Sequence, residues 1–319
     1  MSGAAARDAG AAPSPVNGSG VDVVVVGGGP AGLAAATWLA RCGRRVRLLD
    51  TGEPRNAPTW AVHGYPGIPD EPPHELRRRM RDQALGAGAE CGQGEVVEVS
   101  GGRDDFRVRL ASDEVVGARR LLLAYGRRDT LPDIPRAREL YGTSLFHCPD
   151  CDGPSMVGEA VGVLGADATA AELALFLSFW AESVVLLPHE QPGEALPEEA
   201  KRRLSHYDIP VRPGRIEAVE ESAGRLLGLT LEDGQEVELG ALFFHSDPAP
   251  ACELAATLGC ACDSAGHLEV DRGQETTVRG VFAAGDIVGH PYLAIAAAAE
   301  GVRAALAIHR SLLPEAFRL

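Results

Sequence analysis

The sequence predicts an α/β fold made of two Rossmann-like dinucleotide-binding domains, and three observations point to it. The chain has 319 residues, too many for one core of ordinary size and suited to two domains. From Val21 to Asp50 a strand, a glycine-rich turn, a helix and a second strand follow one another, the order of a dinucleotide-binding unit. A strand and a helix joined through a glycine recur over Val161 to Ala170.

Composition narrows the function classes. Hydrophobic residues are 45% of the chain and charged residues 24%, the balance of a soluble globular protein. No stretch approaches eighteen uninterrupted apolar residues, so no membrane span is predicted. Residues 1–20 are rich in Ala, Gly, Ser and Pro and carry neither a basic nor an apolar region of a secretory signal. They read as a disordered tail on a cytoplasmic protein. A net charge of -15 argues against nucleic acid, whose phosphates need a concentrated basic surface. The basic cluster Arg77 to Arg81 falls in a helical stretch and reads as a solvated face. Seven cysteines are an odd number and argue against a structural disulphide framework.

The first element, Val21 to Val26, is apolar but for Asp22 and reads as a buried strand. The turn Gly27-Gly28-Gly29-Pro30-Ala31-Gly32 follows as G-x-G-x-x-G, then a helix to about Cys42, then a strand from Arg45 that ends at Asp50. The glycines let the backbone approach a pyrophosphate, the helix N-terminus faces its charge, and Asp50 can accept from a ribose hydroxyl. A glycine-rich turn of purely structural use needs no acid in this register. Near the C-terminus, Thr276 to Gly280 leads into the strand Val281 to Ala284, which stops at Gly285-Asp286, and a small-residue helix starts at about Leu293. An Asp at a strand end beside a helix N-terminus suits a ribityl hydroxyl and a phosphate together.

Together these residues resemble the flavoproteins with two dinucleotide-binding domains, and the likeness runs from Val21 to Leu312. It implies that Gly27, Gly29, Pro30, Ala31, Gly32, Asp50, Gly285 and Asp286 hold FAD. It further implies an FAD domain in two segments, 21–126 and 247–319, with the second Rossmann-like domain inserted as 127–246. The strand Leu121 to Ala124 fits the end of the first segment, although Tyr125-Gly126 stands where the family has Thr-Gly.

Phe146-His147-Cys148-Pro149-Asp150-Cys151-Asp152-Gly153 carries the chemistry. Two thiols two residues apart can close a disulphide, and a helix starting at the first would lower one thiol's pKa. Structural zinc would need a second ligand pair, and Cys260-Ala261-Cys262 has the wrong spacing, so no metal is predicted. Pro, Asp and Gly around the pair mark a polar turn and not a core. C-x-x-C-D-G at the start of an inserted domain resembles the thioredoxin reductase family. The resemblance implies that Cys151 lies against the flavin, Cys148 exchanges with substrate and Asp152 moves the proton, roles that thiolate chemistry requires. His147 reads as structural. Cys42, Cys91, Cys252, Cys260 and Cys262 read as packing residues.

A reductase of that family also needs a nicotinamide site, expected at Val161 to Ala170. Strand and helix are present, but Asp167 stands where the family has glycine, so a carboxylate would face the pyrophosphate. The family's arginine pair for the 2'-phosphate is replaced by His189-Glu190, which removes the second source of NADPH affinity. Asp50 to Asn56 and His63-Gly64-Tyr65-Pro66-Gly67 resemble the corresponding stretches of the FAD-dependent dithiol oxidases of gliotoxin and holomycin type, which adds Arg55, Asn56 and His63 to the expected cofactor residues. That group often has His where this chain has Asp152. The resemblance implies a homodimer that oxidises a small or peptidic dithiol with dioxygen and releases hydrogen peroxide. An NADPH- or ferredoxin-fed reductase is the competing expectation, and a flavin-binding regulatory protein a third.

Overall fold

The computed structural model describes residues 20–189, 196–289 and 291–317. Residues 1–19 of the expected tail, and Glu190, lie outside them. The first segment holds β1 (Val21–Val26), α1 (Pro30–Arg41), β2 (Val46–Asp50), α2 (Pro73–Gly86), β3 (Glu90–Gln93), β4 (Val96–Gly102), β5 (Asp105–Leu110) and β6 (Val115–Leu123). The middle segment holds β7 (Arg127–Arg128), α3 (Ala137–Leu140), β8 (Leu145–Phe146), α4 (Pro149–Asp152), β9 (Ala160–Leu164), α5 (Ala168–Leu177), β10 (Ser183–Leu187), α6 (Glu198–His206), β11 (Ile216–Ser222), β12 (Arg225–Leu231), β13 (Glu236–Glu238) and β14 (Ala241–Phe244). The chain ends with β15 (Ala249–Pro250), α7 (Leu254–Leu258), β16 (Val281–Ala283) and α8 (Ala294–Ser311).

The strand order β3-β2-β1-β6 continues into β16 on one half of β6 and into antiparallel β5-β4 on the other. Val23, Val24 and Val25 are fully buried, as a central parallel strand covered on both faces requires. Because β2 and β6 lie on opposite sides of β1, the turn after Val26 opens at the point where strand order reverses, where ligands of such sheets bind. On one face α1 lies along α8, and small residues permit this: a Cβ on Gly301 would stand 2.0 Å from the Ala31 carbonyl oxygen. Among the described residues no helix is long and apolar enough to cross a membrane.

The middle segment forms its own parallel sheet, β10-β9-β14-β8, with the antiparallel β11-β12-β13 as a separate layer. The chain passes between the two sheets twice, and the passes pair with each other: Arg128 lies opposite Ala249 and Arg127 opposite Pro250 in antiparallel register. Buried Arg127 ties this ribbon down, donating from Nε to the Pro248 carbonyl at 2.6 Å and from Nη1 to the Gly266 carbonyl at 3.0 Å.

Candidate active site

A cavity of about 880 Å³ opens at the C-terminal ends of β1, β2 and β16, and the β8–α4 segment of the other sheet forms part of its wall. Its floor is the glycine turn. Gly27 has a positive φ of +109°, and a Cβ there would meet the Ala124 carbonyl oxygen at 2.3 Å; at Gly32 a Cβ would meet the Gly27 carbonyl oxygen at 1.9 Å. Around Gly29, by contrast, the Cβ position has nothing within 4 Å, so backbone faces open cavity. Helix α1 starts there without a side-chain cap, with Pro30 in its first turn and no acid. Its free N–H groups therefore remain to receive an anion. Helix α8 presents a second uncapped N-terminus at Leu293, without an acid in its first turn, and Leu293 and Ala294 line the same cavity.

Asp50 sits at the end of β2 and accepts from the Gly28 N–H at 3.0 Å. Arg77 of α2 pairs with the other carboxylate oxygen and donates from Nε to the Gly28 carbonyl at 3.1 Å. The reading of Arg77 to Arg81 as a solvated face holds for Arg78 and Arg79, which are exposed, and is corrected for Arg77 and Arg81. Arg77 fixes Asp50, Arg81 donates to the Cys91 carbonyl at 2.7 Å and Arg79 pairs with Glu71 at 3.1 Å. Gly28 is also more than a spacer, since a Cβ there would stand 2.6 Å from the Asp50 carboxyl carbon. Gly28 lies in the glycine turn and Arg77 in the basic cluster, but neither pattern reveals the tie to Asp50, more than twenty positions from each.

Arg55 lines the cavity, but its guanidinium is held by protein carboxylates. It donates bidentately to Asp129 at 2.7 and 2.6 Å and from Nη1 to Asp286 at 3.0 Å, and it lies over the Tyr292 ring at 4.8 Å. Asn56 lines the cavity as well. His63 is hydrogen-bonded to Asp70 through Nδ1 at 2.7 Å. Its Nε2 is buried without a partner among the described residues. The open glycine turn, two uncapped helix ends, a fixed acid and this unsatisfied nitrogen fit the FAD expected from the sequence: Gly27 to Gly32 and Leu293 would face its phosphates and Asp50 its ribose.

Cys148 and Cys151 are joined as a disulphide and both line the cavity. Cys148 caps the single turn α4, its sulphur accepting from the Cys151 N–H at 3.2 Å. Behind the turn stands Trp180; a Cβ on Gly153 would meet its ring at 2.7 Å, so glycine at this position lets the segment seat. Asp152 is buried, with 8% exposure, and burial pushes its pKa up to about 6, opposed in part by His63. Such an acid exchanges protons near neutral pH. Of the other cysteines, Cys260 is buried as expected, whereas Cys262 is exposed; its expected packing role is corrected, because its strand-like bridge to Leu268 leaves it at the surface.

Asp129 is a site residue that no motif flagged. It follows β7 directly and takes Arg55 on both oxygens, the Tyr141 hydroxyl at 2.8 Å and the Ser246 hydroxyl at 2.5 Å. Hydrogen bonds from Arg55 and Ser246 and the nearby His147 outweigh burial and hold its pKa down at about 2. His147 is bonded through Nδ1 to the Tyr141 hydroxyl at 3.1 Å, and burial lowers its pKa.

The second Rossmann turn differs from the first. Asp167 does not project at a ligand; it caps α5, accepting from the Ala170 N–H at 2.7 Å. The anion position of that helix is therefore filled by the chain's own carboxylate. His189 is also engaged on both nitrogens, accepting at Nδ1 from the Ile216 N–H at 3.1 Å and bonding through Nε2 to the Asp133 carbonyl at 2.9 Å.

Residues 21–301 match the family described as pyridine nucleotide-disulphide oxidoreductase. The protein named thioredoxin reductase tcpT of Claviceps purpurea (strain 20.1) is 33% identical over 279 residues, 83% of this chain and 86% of its own. The crystal structure of HlmI superposes with a TM-score of 0.87 at 37% identity, covering 94% of each chain. The atypical thioredoxin reductase TRi from Desulfovibrio vulgaris Hildenborough is 30% identical, covers 91% of this chain and 97% of its own, and superposes with a TM-score of 0.51. The chain belongs to the pyridine nucleotide-disulphide oxidoreductase family, as an enzyme of that class, with proteins named thioredoxin reductases among its relatives.

Proposed function

We propose that this pyridine nucleotide-disulphide oxidoreductase is an FAD-dependent dithiol oxidase, which closes a disulphide in a small or peptidic dithiol. The observation that carries the reading is the cap of Asp167 on α5. It occupies the helix end where a nicotinamide dinucleotide would place its pyrophosphate, while the N-terminus of α1 is open. On this reading electrons enter at the redox pair.

Cys148 offers the sulphur that a substrate thiolate attacks. A mixed disulphide forms as Cys151 leaves as thiolate, and the second substrate thiol displaces Cys148, so that the substrate gains one S–S bond and the enzyme pair gains two electrons and two protons. Asp152, poised near pH 6, takes and returns the proton of the cavity-side thiol. FAD held by Gly27 to Gly32, Asp50 and Leu293 would supply a two-electron acceptor for this dithiol, with dioxygen as the final oxidant and hydrogen peroxide as the product. Arg55 offsets one of the two carboxylate charges in the cavity wall, those of Asp129 and Asp286, and so weakens the wall's repulsion of thiolates. A homodimer, implied by the resemblance, completes the reading.

The second reading is an NADPH- or ferredoxin-fed disulphide reductase, favoured by a relative of 33% identity named thioredoxin reductase. Anaerobic stopped-flow mixing separates the two. A dithiol such as dithiothreitol should bleach the flavin, air should restore it with one peroxide per dithiol, and NADPH and NADH should leave it oxidised. Rapid bleaching by NADPH would sink the oxidase reading.

A further inference from the structure

The redox pair lines the cavity from the side of the second sheet, and the chain joins the two sheets through one narrow ribbon that can serve as a hinge. That hinge is the β7–β15 ribbon, two residues on each side. Asp129 leaves it on one pass and Ser246 enters it on the other, and the two side chains bond at 2.5 Å. From the FAD-side loop comes Arg55, bidentate to Asp129; from the inserted side comes Tyr141. The pair is shielded, with side-chain exposures of 12% for Arg55 and 3% for Asp129. A bidentate guanidinium–carboxylate pair is geometrically exacting. Buried, it cannot be broken without leaving an uncompensated charge.

The two solved relatives differ in a way that bears on this hinge. Both are covered over more than nine-tenths of each chain, yet one superposes at 0.87 and the other at 0.51. Chains that share a fold along their whole length and still superpose poorly differ in how their parts are arranged. This chain has the arrangement of the former. The turn of α5 does not line the cavity, so a nicotinamide bound there would need another arrangement to reach it.

We infer that Asp129 is a positioning residue that bolts the hinge, holding Cys148–Cys151 at the cofactor cavity throughout turnover. The inference deepens the oxidase reading: a chain that draws electrons through the redox pair alone needs this one arrangement. The substrate dithiol then meets Cys148 through the open mouth of the cavity, without any swing of the inserted domain.

The test measures distance and leaves turnover aside. Spin labels on unnatural residues replacing Gln83 of α2 and Arg202 of α6, both exposed, span the two sheets in the FAD-loaded protein and leave native thiols untouched. Diluted with unlabelled chain so that pairs between subunits do not register, the unmodified protein should give a single distance. Asp129→Ala and Asp129→Asn should add a second one, rising above the ~10% at which a minor state is ordinarily populated. Tyr141→Phe combined with Ser246→Ala keeps the ion pair and should add a smaller share. If Asp129→Ala does not fold, that double variant decides, a single distance overturning the inference. Two distances in the unmodified protein, or one distance in folded Asp129→Ala, would also overturn it. Rapid reduction by NADPH of a protein with one distance would instead sink the oxidase reading and leave the bolt standing.

Discussion

At Asp152 the chemistry of the site becomes a statement about stability. Burial raises its pKa from the ordinary 3.8 to about 6, so the folded state holds a proton that the unfolded chain has released between those values. Stability is therefore complete below about pH 4 and falls as pH rises towards 6. The displacement corresponds to ~3 kcal/mol at neutral pH as an upper bound. Asp152→Asn should raise the melting temperature at pH 7.5 and leave it nearly unchanged at pH 4, while slowing dithiol-driven flavin reduction. A variant with equal gains at both pH values would disprove the assignment. The paired thiols give a second expectation. Cys148→Ser should keep the long-wavelength charge-transfer absorbance of a thiolate against flavin and lose turnover, whereas Cys151→Ser should lose that band; the reverse pattern would exchange their roles.

Two helix ends of the same design differ by one side chain, and the difference separates an open anion site from a closed one. Helix α1 has no side chain over its first N–H groups, whereas Asp167 places its carboxylate over the start of α5 and takes the Ala170 N–H. Replacing Asp167 by Ala should cost about 1 kcal/mol, the usual worth of an N-cap. Replacing it by Gly should reopen the turn without admitting NADPH, because His189 still bridges Ile216 and Asp133 where the family has arginine. A thermal shift with NADPH in Asp167→Gly alone would show that the cap was the sole obstacle. This contrast is half legible in the sequence: a carboxylate in a glycine position announces a damaged phosphate site, but only the structure shows that it turns back onto its own helix. Gly28 and Arg77 were hidden for a related reason, since their value lies in contacts with Asp50 that no local pattern encodes.

For the whole molecule, what could be read in advance was the part written in consecutive residues: strand, turn, helix and acid at the start, strand and Gly-Asp near the end, and the C-x-x-C-D-G between them. What could not be read was how the two sheets are fixed to each other. Asp129 meets Arg55 and Ser246 across sequence separations of 74 and 117, and nothing in Arg127-Arg128-Asp129 announces that. The same architecture, one open Rossmann turn and one closed, makes a prediction about ligands that needs no turnover. A ligand that binds the folded state alone stabilises it by RT ln(1 + [L]/Kd), ~4 kcal/mol at a thousandfold excess over Kd. With each kcal/mol worth roughly 2–4 °C in domains of 150–250 residues, FAD added back to stripped protein should raise the melting temperature by about 8–16 °C. NADPH at the same concentration should not move it, because the Asp167 carboxylate stands at the start of α5 and both nitrogens of His189 are engaged. A rise of several degrees with NADPH would mean that the second turn opens in solution, and the electrons would then have a nicotinamide route that the closed turn denies.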